Sequence, residues 1–131
     1  ILYFIDFNYY ELYGTFLTNE TYIKSKTGIK PKHFNEVTNE LIANKKLFLR
    51  KEQYYHRIIN RYYITTIPQF KFSIDELGVI NKSIDKLSEN NASTITKYAI
   101  KDPPLHIADF GDVIDYRYVF CRNDNYSFIK K

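Results

Sequence analysis

Regularly spaced acidic side chains are the first candidates for chemistry. Asp109, Asp112 and Asp115 recur at every third position, which on a helix would bring three carboxylates together as ligands for a metal ion. Gly111 lies inside that run and favours a solvent-exposed loop instead. We therefore expect solvated carboxylates at these positions rather than a metal site.

Residue types that serve in catalysis are few and scattered. The three histidines, at positions 33, 56 and 106, have no second ligand at helical spacing, and the four glycines are too dispersed for a phosphate-binding loop. The lone Cys121 excludes an intramolecular disulfide and a cysteine-based zinc site. No serine or cysteine lies in a recognisable nucleophile motif. These observations predict a protein that is not an enzyme and uses no cofactor.

The segment from Gln53 to Tyr63 has the composition of a binding surface. Its aromatic residues are interspersed with arginines, which is typical of base stacking with phosphate contacts and also of the centre of a protein interface. Both classes of partner stay open at this point. The predicted contact residues are Tyr54, Tyr55, Arg57, Arg61 and Tyr62.

Positive charge is concentrated around that segment. The 131 residues include 19 Lys and Arg against 15 Asp and Glu, a net charge of +4. Residues 24–61 hold ten of the basic side chains and three of the acidic ones, so that this stretch carries +7 and the remainder −3. The asymmetry predicts that one part of the fold attracts anions.

An amphipathic helix is predicted at the start of the chain. Apolar residues recur at helical spacing over residues 1–13, and Gly14 follows where a helix-ending glycine would lie. Because Ile1 opens directly into this pattern and the sequence contains no Met, we expect the domain to lack its extreme N-terminus. The apolar positions are Leu2, Ile5, Tyr9 and Leu12.

The following segment predicts an extended connection and then a second helix. Residues 15–29 lack helical periodicity and are rich in Thr, Lys and Gly, with one short strand expected at 20–24. Pro31 suits the first turn of a helix, where its missing N–H costs nothing, and that helix is predicted to end near residue 44.

A two-stranded ribbon is predicted after the second helix. Residues 47–50 and 62–65 are rich in aromatic and β-branched side chains, which favours strands, and the stretch between them is polar and basic. Ile67 and Pro68 are predicted to end the second strand, since proline cannot donate to the ladder.

The second half of the chain predicts further helices. The stretch Ser73–Glu76 fits a capping box that opens a helix over residues 74–88. A shorter helix is expected over residues 92–100, and the Pro103–Pro104 pair prevents its continuation. Residues 115–120 favour either a strand or a short final helix.

These elements together predict the fold class and the location. We expect a single domain over residues 1–131 of the α+β class, mainly α-helical, with a small two-stranded β ribbon inserted after the second helix. The longest apolar run, residues 1–5, is too short to cross a membrane, and no secretion signal is visible. A cytoplasmic location is therefore expected.

Five short motifs follow one another along the chain, at residues 2–14, 17–24, 27–31, 102–104 and 111–116. The first contains Leu-Tyr-Phe-Ile-Asp and ends in Tyr-Gly, and the last closes on Ile-Asp-Tyr. Their order and residue types resemble those of the Panacea domain, also called the SocA-like antitoxin domain. The residues that match the family motifs are Asp6, Tyr9, Tyr22, Gly28, Pro31, Pro103, Asp115 and Tyr116.

The resemblance implies structural roles for most of these residues. Asp6 would cap or pair inside the core, and Gly28 would permit an unusual turn. The chain departs from the family at Ile29, Ile100 and Leu105, where the family has Pro, His and Trp. Ile100 and Leu105 keep an apolar side chain, so we expect both to support the core.

The resemblance also implies an antitoxin, a module that neutralises a toxin encoded beside it, usually by direct binding. One member of the family acts as an adaptor that delivers its toxin to a AAA+ protease. We therefore predict a non-catalytic antitoxin-type protein whose partner is a cognate toxin protein. A DNA- or RNA-binding regulator that uses the basic ribbon, and an adaptor for a AAA+ protease, are the alternatives.

Overall fold

The computed structural model describes residues 1–65 and 71–129, which form helices, two β-hairpins and the loops between them. Backbone contacts group them into two units, which we call the helical unit (residues 1–32 and 72–131) and the ribbon unit (residues 33–71). The elements in chain order are α1 (Leu2–Tyr13), β1 (Tyr22–Ser25), β2 (Gly28–Pro31), α2 (Phe34–Ala43), β3 (Leu47–Tyr54), β4 (Arg57–Ile64), α3 (Ile74–Leu87), α4 (Ala92–Ile100), α5 (Pro103–Ile107) and a 3₁₀ helix (Tyr116–Cys121).

Both sheets are two-stranded and antiparallel, with β1 paired to β2 and β3 paired to β4. The predicted fold class is confirmed: the chain is α+β and mainly α-helical, and a two-stranded ribbon follows the second helix. Within the described ranges, no helix has both the length and the apolar character needed to span a bilayer.

Helix α1 lies at the centre of the helical unit rather than on its surface. Residues Tyr3–Asn8 are all buried, and six consecutive buried positions mean that the helix is covered on every side. Leu2 and Leu12 carry part of the apolar period but are exposed, so the amphipathic interpretation is wrong. The helix bounds and the ending are confirmed, because Gly14 is left-handed (φ +67°) and donates its N–H to the Tyr10 carbonyl oxygen at 2.8 Å.

Aromatic rings around α1 form the hydrophobic core of the helical unit. Phe7 is fully buried and stacks on Tyr116, with ring centroids 4.0 Å apart, and Tyr3 packs against Phe7 at 4.2 Å. Leu105 and Val119 are buried in the same cluster. Burial of each such side chain stabilises the fold by about 1.5–3 kcal/mol, so this cluster is a major source of stability.

The segment before α2 folds as a hairpin, which corrects the role predicted for Pro31. Pro31 is the last residue of β2, opposite Tyr22, and α2 begins only at Phe34. The hairpin contains a second strand that the sequence pattern did not indicate, and Gly28 opens that strand with a φ of +139°. Pro31 is tolerated because it lies at the end of a strand, where its missing N–H breaks no ladder.

Strands β3 and β4 form a longer ribbon than the predicted one. They pair along eight residues each, from the Leu47–Ile64 pair to the Tyr54–Arg57 pair, and a two-residue turn at Tyr55 and His56 joins them. Tyr55 has a φ of +54°, the left-handed conformation that such tight turns use. Polar residues extend these strands because both faces of a two-stranded ribbon can meet solvent. The prediction for Ile67–Pro68 lies outside the described residues.

Local capping signals hold in the second half of the chain. The capping box is confirmed, since Ser73 Oγ accepts the Glu76 N–H at 3.1 Å and Glu76 Oε1 accepts the Ser73 N–H at 2.8 Å. Asn91 caps α4, which ends at Ile100, and Pro103 opens the short α5. The final element is helical, so of the two alternatives for residues 115–120 the short helix is confirmed.

Candidate interaction site

All eight family-motif residues belong to the helical unit, where Asp6 and Tyr22 are buried. The buried carboxylate of Asp6 accepts hydrogen bonds from the hydroxyl groups of Tyr22 and Thr18 and from the Thr18 N–H. Burial, followed by the hydrogen bond to Asp6, raises the pKa of Tyr22 well above its usual range. Asp6 therefore joins α1 to the segment that leads into β1, which is a structural role.

The closing motif also packs against the core. The Tyr116 hydroxyl donates to the Glu20 carbonyl oxygen at 2.6 Å, and burial raises the pKa of this phenol. Asp115 caps the 3₁₀ helix by accepting the Arg117 N–H, and this hydrogen-bonded arginine lowers the pKa of the Asp115 carboxyl. Tyr9 is half-buried with its ring centroid 4.8 Å from that of Tyr13.

A buried polar network crosses the helical unit and has no counterpart in the sequence-based expectations. The Arg122 guanidinium is completely buried and donates to both carboxylate oxygens of Asp102, at 2.7 and 2.8 Å. It also donates to Asn8 Oδ1 at 2.8 Å and to Glu11 Oε1 at 3.2 Å. The Tyr3 hydroxyl completes the network with a 2.7 Å hydrogen bond to Asp102.

The sequence signal for this network is the apolar and aromatic surroundings of Arg122 and Asp102, which favour burial of both side chains. Arginine, aspartate and glutamate are almost never fully buried unless they are paired. Arg122 and Asp102 both lie close to apolar or aromatic neighbours in the sequence, but their 20-residue separation hides the contact between them. Every buried side-chain N and O atom in the described ranges has a hydrogen-bond partner, so this network is complete as folded.

Two of the three replacements in the family motifs, Leu105 and Ile100, have different environments. Leu105 is buried in the core, as expected. Ile100 is 47% exposed, so the expectation that it supports the core is wrong. It ends α4 beside the buried Ala99 and lines an open cleft of about 410 Å³ in the helical unit, together with Ile29, Ile95 and other apolar residues.

The ribbon unit separates the predicted contact residues onto different surfaces. Arg57 and Arg61 lie on one face of β4, because alternate residues of a strand share a face. Tyr62 lies on the opposite face, where its ring meets Phe34 of α2 edge to face at 5.9 Å. Tyr55 lies in the turn and is 81% exposed, and Tyr54 ends β3 opposite Arg57.

The face that carries the arginines has its own set of contacts, and we call it the arginine face. Arg50 and Arg61 are directly opposite one another on the two strands. Glu52 forms an ion pair with each of them. Its Oε2 atom lies 2.9 Å from Arg61 Nε, and its Oε1 atom lies 3.9 Å from Arg50 Nε. The arginine face comprises Phe48, Arg50 and Glu52 of β3 and Arg57, Ile59, Arg61 and Tyr63 of β4.

A pair of aromatic residues lies on the arginine face near the end of the ribbon that is far from the turn. Phe48 and Tyr63 stack with their ring centroids 5.0 Å apart. The Tyr63 hydroxyl donates to Glu52 Oε1 at 2.7 Å, and this hydrogen bond raises the pKa of the phenol. A stacked aromatic pair and two arginines are thus arranged around a single carboxylate.

The ribbon unit differs from the helical unit in charge and in burial. Residues 33–71 hold seven Lys and Arg against three Asp and Glu, a surplus of +4, while the rest of the chain holds twelve of each sign. Of the residues described in this unit with an assigned exposure, none is buried. The predicted basic stretch, residues 24–61, is thus divided between the units: four of its lysines (Lys24, Lys26, Lys30 and Lys32) lie in the helical unit, and the other basic residues of the stretch lie in the ribbon unit.

Metal-binding geometry is not seen in the described ranges: no group of three or more His, Cys, Asp and Glu side chains there could hold a metal ion. Asp112 and Asp109 instead contribute backbone contacts, such as the Lys24 N–H donated to the Asp112 carbonyl oxygen at 3.0 Å.

The family model described as the SocA-like antitoxin Panacea domain matches residues 1–104. The chain belongs to this family. The match includes the whole arginine face, but it ends before Asp115, Tyr116 and Arg122. No curated protein and no solved structure matches the chain significantly. Membership of an antitoxin family indicates an antitoxin-type role in general.

Proposed function

We propose that this protein is a non-catalytic antitoxin that binds a cognate toxin protein and neutralises it by direct contact. The observation that carries the proposal is the match to the SocA-like antitoxin Panacea domain over residues 1–104. The structure is compatible with a binding role because the ribbon unit offers exposed aromatic and basic groups.

Co-expression with each flanking gene of the source genome tests this proposal. We expect one flanking product to arrest growth alone, and we expect growth to recover and a complex to co-purify when this protein is present. A stop-codon variant of the same gene is the control, since its transcript persists and only the protein is lost. Arrest that persists with every toxic flanking product, or rescue by the stop-codon variant, would contradict the proposal.

Nucleic-acid binding is the second candidate function, and the charge of the ribbon unit favours it. The surplus of +4 in residues 33–71 would attract phosphates. Titration of a fluorescein-labelled random-sequence DNA duplex and of a single-stranded RNA tests this function. Affinity that falls steeply with salt and disappears in the Arg57→Ala/Arg61→Ala variant would support it.

A further inference from the structure

We propose that the arginine face of the ribbon is the toxin-binding surface, and that it takes a carboxylate-rich region of the toxin. This inference rests on the proposed antitoxin function and specifies the chemistry of the partner. It follows from three properties of the arginine face: its exposure, its unbalanced charge and the position of its single carboxylate.

Solvent exposure makes the charged groups of the arginine face available to a partner, but it does not separate the two faces, since Ile58 and Ile64 of the other face are 76% and 66% exposed. Helix α2 lies against the other face, where Phe34 contacts Tyr62. The side chains of Arg50 and Arg61 are 69% and 50% exposed, and Phe48 is 47% exposed. The arginine face therefore presents charged and aromatic groups to solvent, the residue types that dominate binding energy at protein interfaces.

Charge on the arginine face is only partly compensated. Like charges directly across an antiparallel pair are unfavourable, and Arg50 and Arg61 are in that position. Glu52 is the single acid of this face, whereas Arg57 adds a third guanidinium toward the turn. Carboxylates of a partner would relieve this repulsion and could bind each guanidinium through two parallel hydrogen bonds.

Spacing along the ribbon defines the size of the complementary surface. Arg57 and Arg61 are four residues apart on β4, which corresponds to about 13 Å along a strand. Arg50 lies across from Arg61 on β3. The partner must therefore offer several carboxylates over a distance of that order, with an apolar group that can meet the Phe48–Tyr63 stack.

The position of Glu52 favours a protein over a nucleic acid. Glu52 lies between the arginines of the face and would repel a phosphate backbone that follows them. A partner protein can place a lysine or a backbone N–H beside Glu52, and it can place carboxylates beside the arginines. Phe48 and Tyr63 also stack on one another, which leaves less ring surface for bases than two separate aromatic side chains would.

A matched pair of charge-reversal variants tests the inference with the flanking gene product that the wild-type protein neutralises. Arg50→Glu/Arg57→Glu reverses two charges on the arginine face, and Lys97→Glu/Lys101→Glu reverses two exposed charges of the helical unit. We expect the arginine variant to bind the toxin on the order of 100-fold more weakly and to lose growth rescue. The lysine variant should stay within about 3-fold of wild type.

Neutral and conservative variants keep the test decisive if the charge reversal disturbs folding. Arg50→Gln/Arg57→Gln should lose affinity in the same direction, whereas Arg50→Lys/Arg57→Lys should retain part of it because the charge remains. Higher salt should weaken wild-type binding, since these charges are exposed.

Two outcomes would overturn the inference and leave the antitoxin function intact. In the first, the arginine variant folds and neutralises the toxin as well as wild type, so that the toxin docks elsewhere. In the second, the arginine variant loses affinity for the labelled DNA or RNA while rescue is unchanged, which would assign the arginine face to nucleic acid. If wild type rescues growth from no flanking toxin, the antitoxin proposal itself fails and the inference fails with it.

Discussion

The helical unit and the ribbon unit contain the same kinds of side chain in opposite environments. Phe7 stacks on Tyr116 in the helical unit and is completely buried, whereas Phe48 stacks on Tyr63 in the ribbon unit and is 47% exposed. The rings are comparable, but only in the helical unit do further elements close over them. Aromatic content therefore does not separate a core from a contact surface; the elements packed around each ring do.

Arginine shows the same contrast more sharply. Arg122 is fully enclosed and bound by Asp102 and Glu11, so it cannot contact a partner in the folded state. Within the described ranges Arg61 pairs with one carboxylate, that of Glu52, and half of its side chain is in solvent. One arginine stabilises the fold and the other is available for binding, because desolvation makes a buried charge depend on its partners.

The largest expected effect is the loss of stability when the buried Arg122 is replaced by methionine. The same replacement of the exposed Arg61 is the comparison. Arg122→Met leaves the Asp102 and Glu11 carboxylates buried without their cation, so we expect the free energy of unfolding to fall by about 3–5 kcal/mol. Arg61→Met breaks an exposed ion pair and should cost about 0–1 kcal/mol. Urea unfolding followed by circular dichroism measures both, and similar losses would contradict the contrast between the two units.

Alkaline pH should destabilise the helical unit through its buried phenols. Burial raises the pKa of Tyr3 and of Tyr22 above the usual 10.0, so the unfolded chain releases these protons before the folded one. Their contribution to stability is complete below pH 10.0 and is lost as pH rises further, by about 1.4 kcal/mol per pH unit for each phenol.

Tyrosinate absorbance and circular dichroism measured on the same alkaline titration check this effect. We expect a late fraction of the tyrosines to ionise together with the loss of helix. Ionisation of all tyrosines near their usual pKa while helical structure persists would show that Tyr3 and Tyr22 are not buried as described.

The smallest expected effect concerns the contact between α2 and the ribbon. Phe34→Ala removes the edge-to-face pair with Tyr62 and should lower the stability of the ribbon unit by about 0.5–1.5 kcal/mol. Val37→Ala on the same helix is the control, since Val37 is 49% exposed and should change stability by less than about 0.5 kcal/mol. Amide hydrogen exchange of β3 and β4 measures the difference, and equal protection in both variants would exclude a stabilising role for this contact.

Signals read from neighbouring residues predicted much of the fold. Gly14 as a helix end and the capping box of Ser73 and Glu76 involve groups within a few residues of one another, so their geometry follows from the local chain. Pro31 shows the limit of such signals, because proline suits both a first helical turn and the end of a strand. Only the pairing of β2 with β1 distinguishes the two.

The candidate site was predictable in composition but not in arrangement. Arg57, Arg61 and Tyr62 all belong to the predicted ribbon segment, yet the structure places Tyr62 on the opposite face from the arginines. Arg50 was not among the predicted contact residues, although the strand register places it directly across from Arg61. Register depends on where the turn lies, and the sequence pattern alone did not locate a turn at Tyr55.

The sequence by itself determined the fold class, most helix bounds, the concentration of basic charge and, through its ordered motifs, the antitoxin family. Tertiary structure alone decided which of these residues are buried. The hydrogen bond from Tyr3 to Asp102 joins positions 99 residues apart, and Arg122 meets Glu11 across 111. Such contacts form only when the whole helical unit packs, because the desolvation of each polar group is offset by partners that lie far away along the chain.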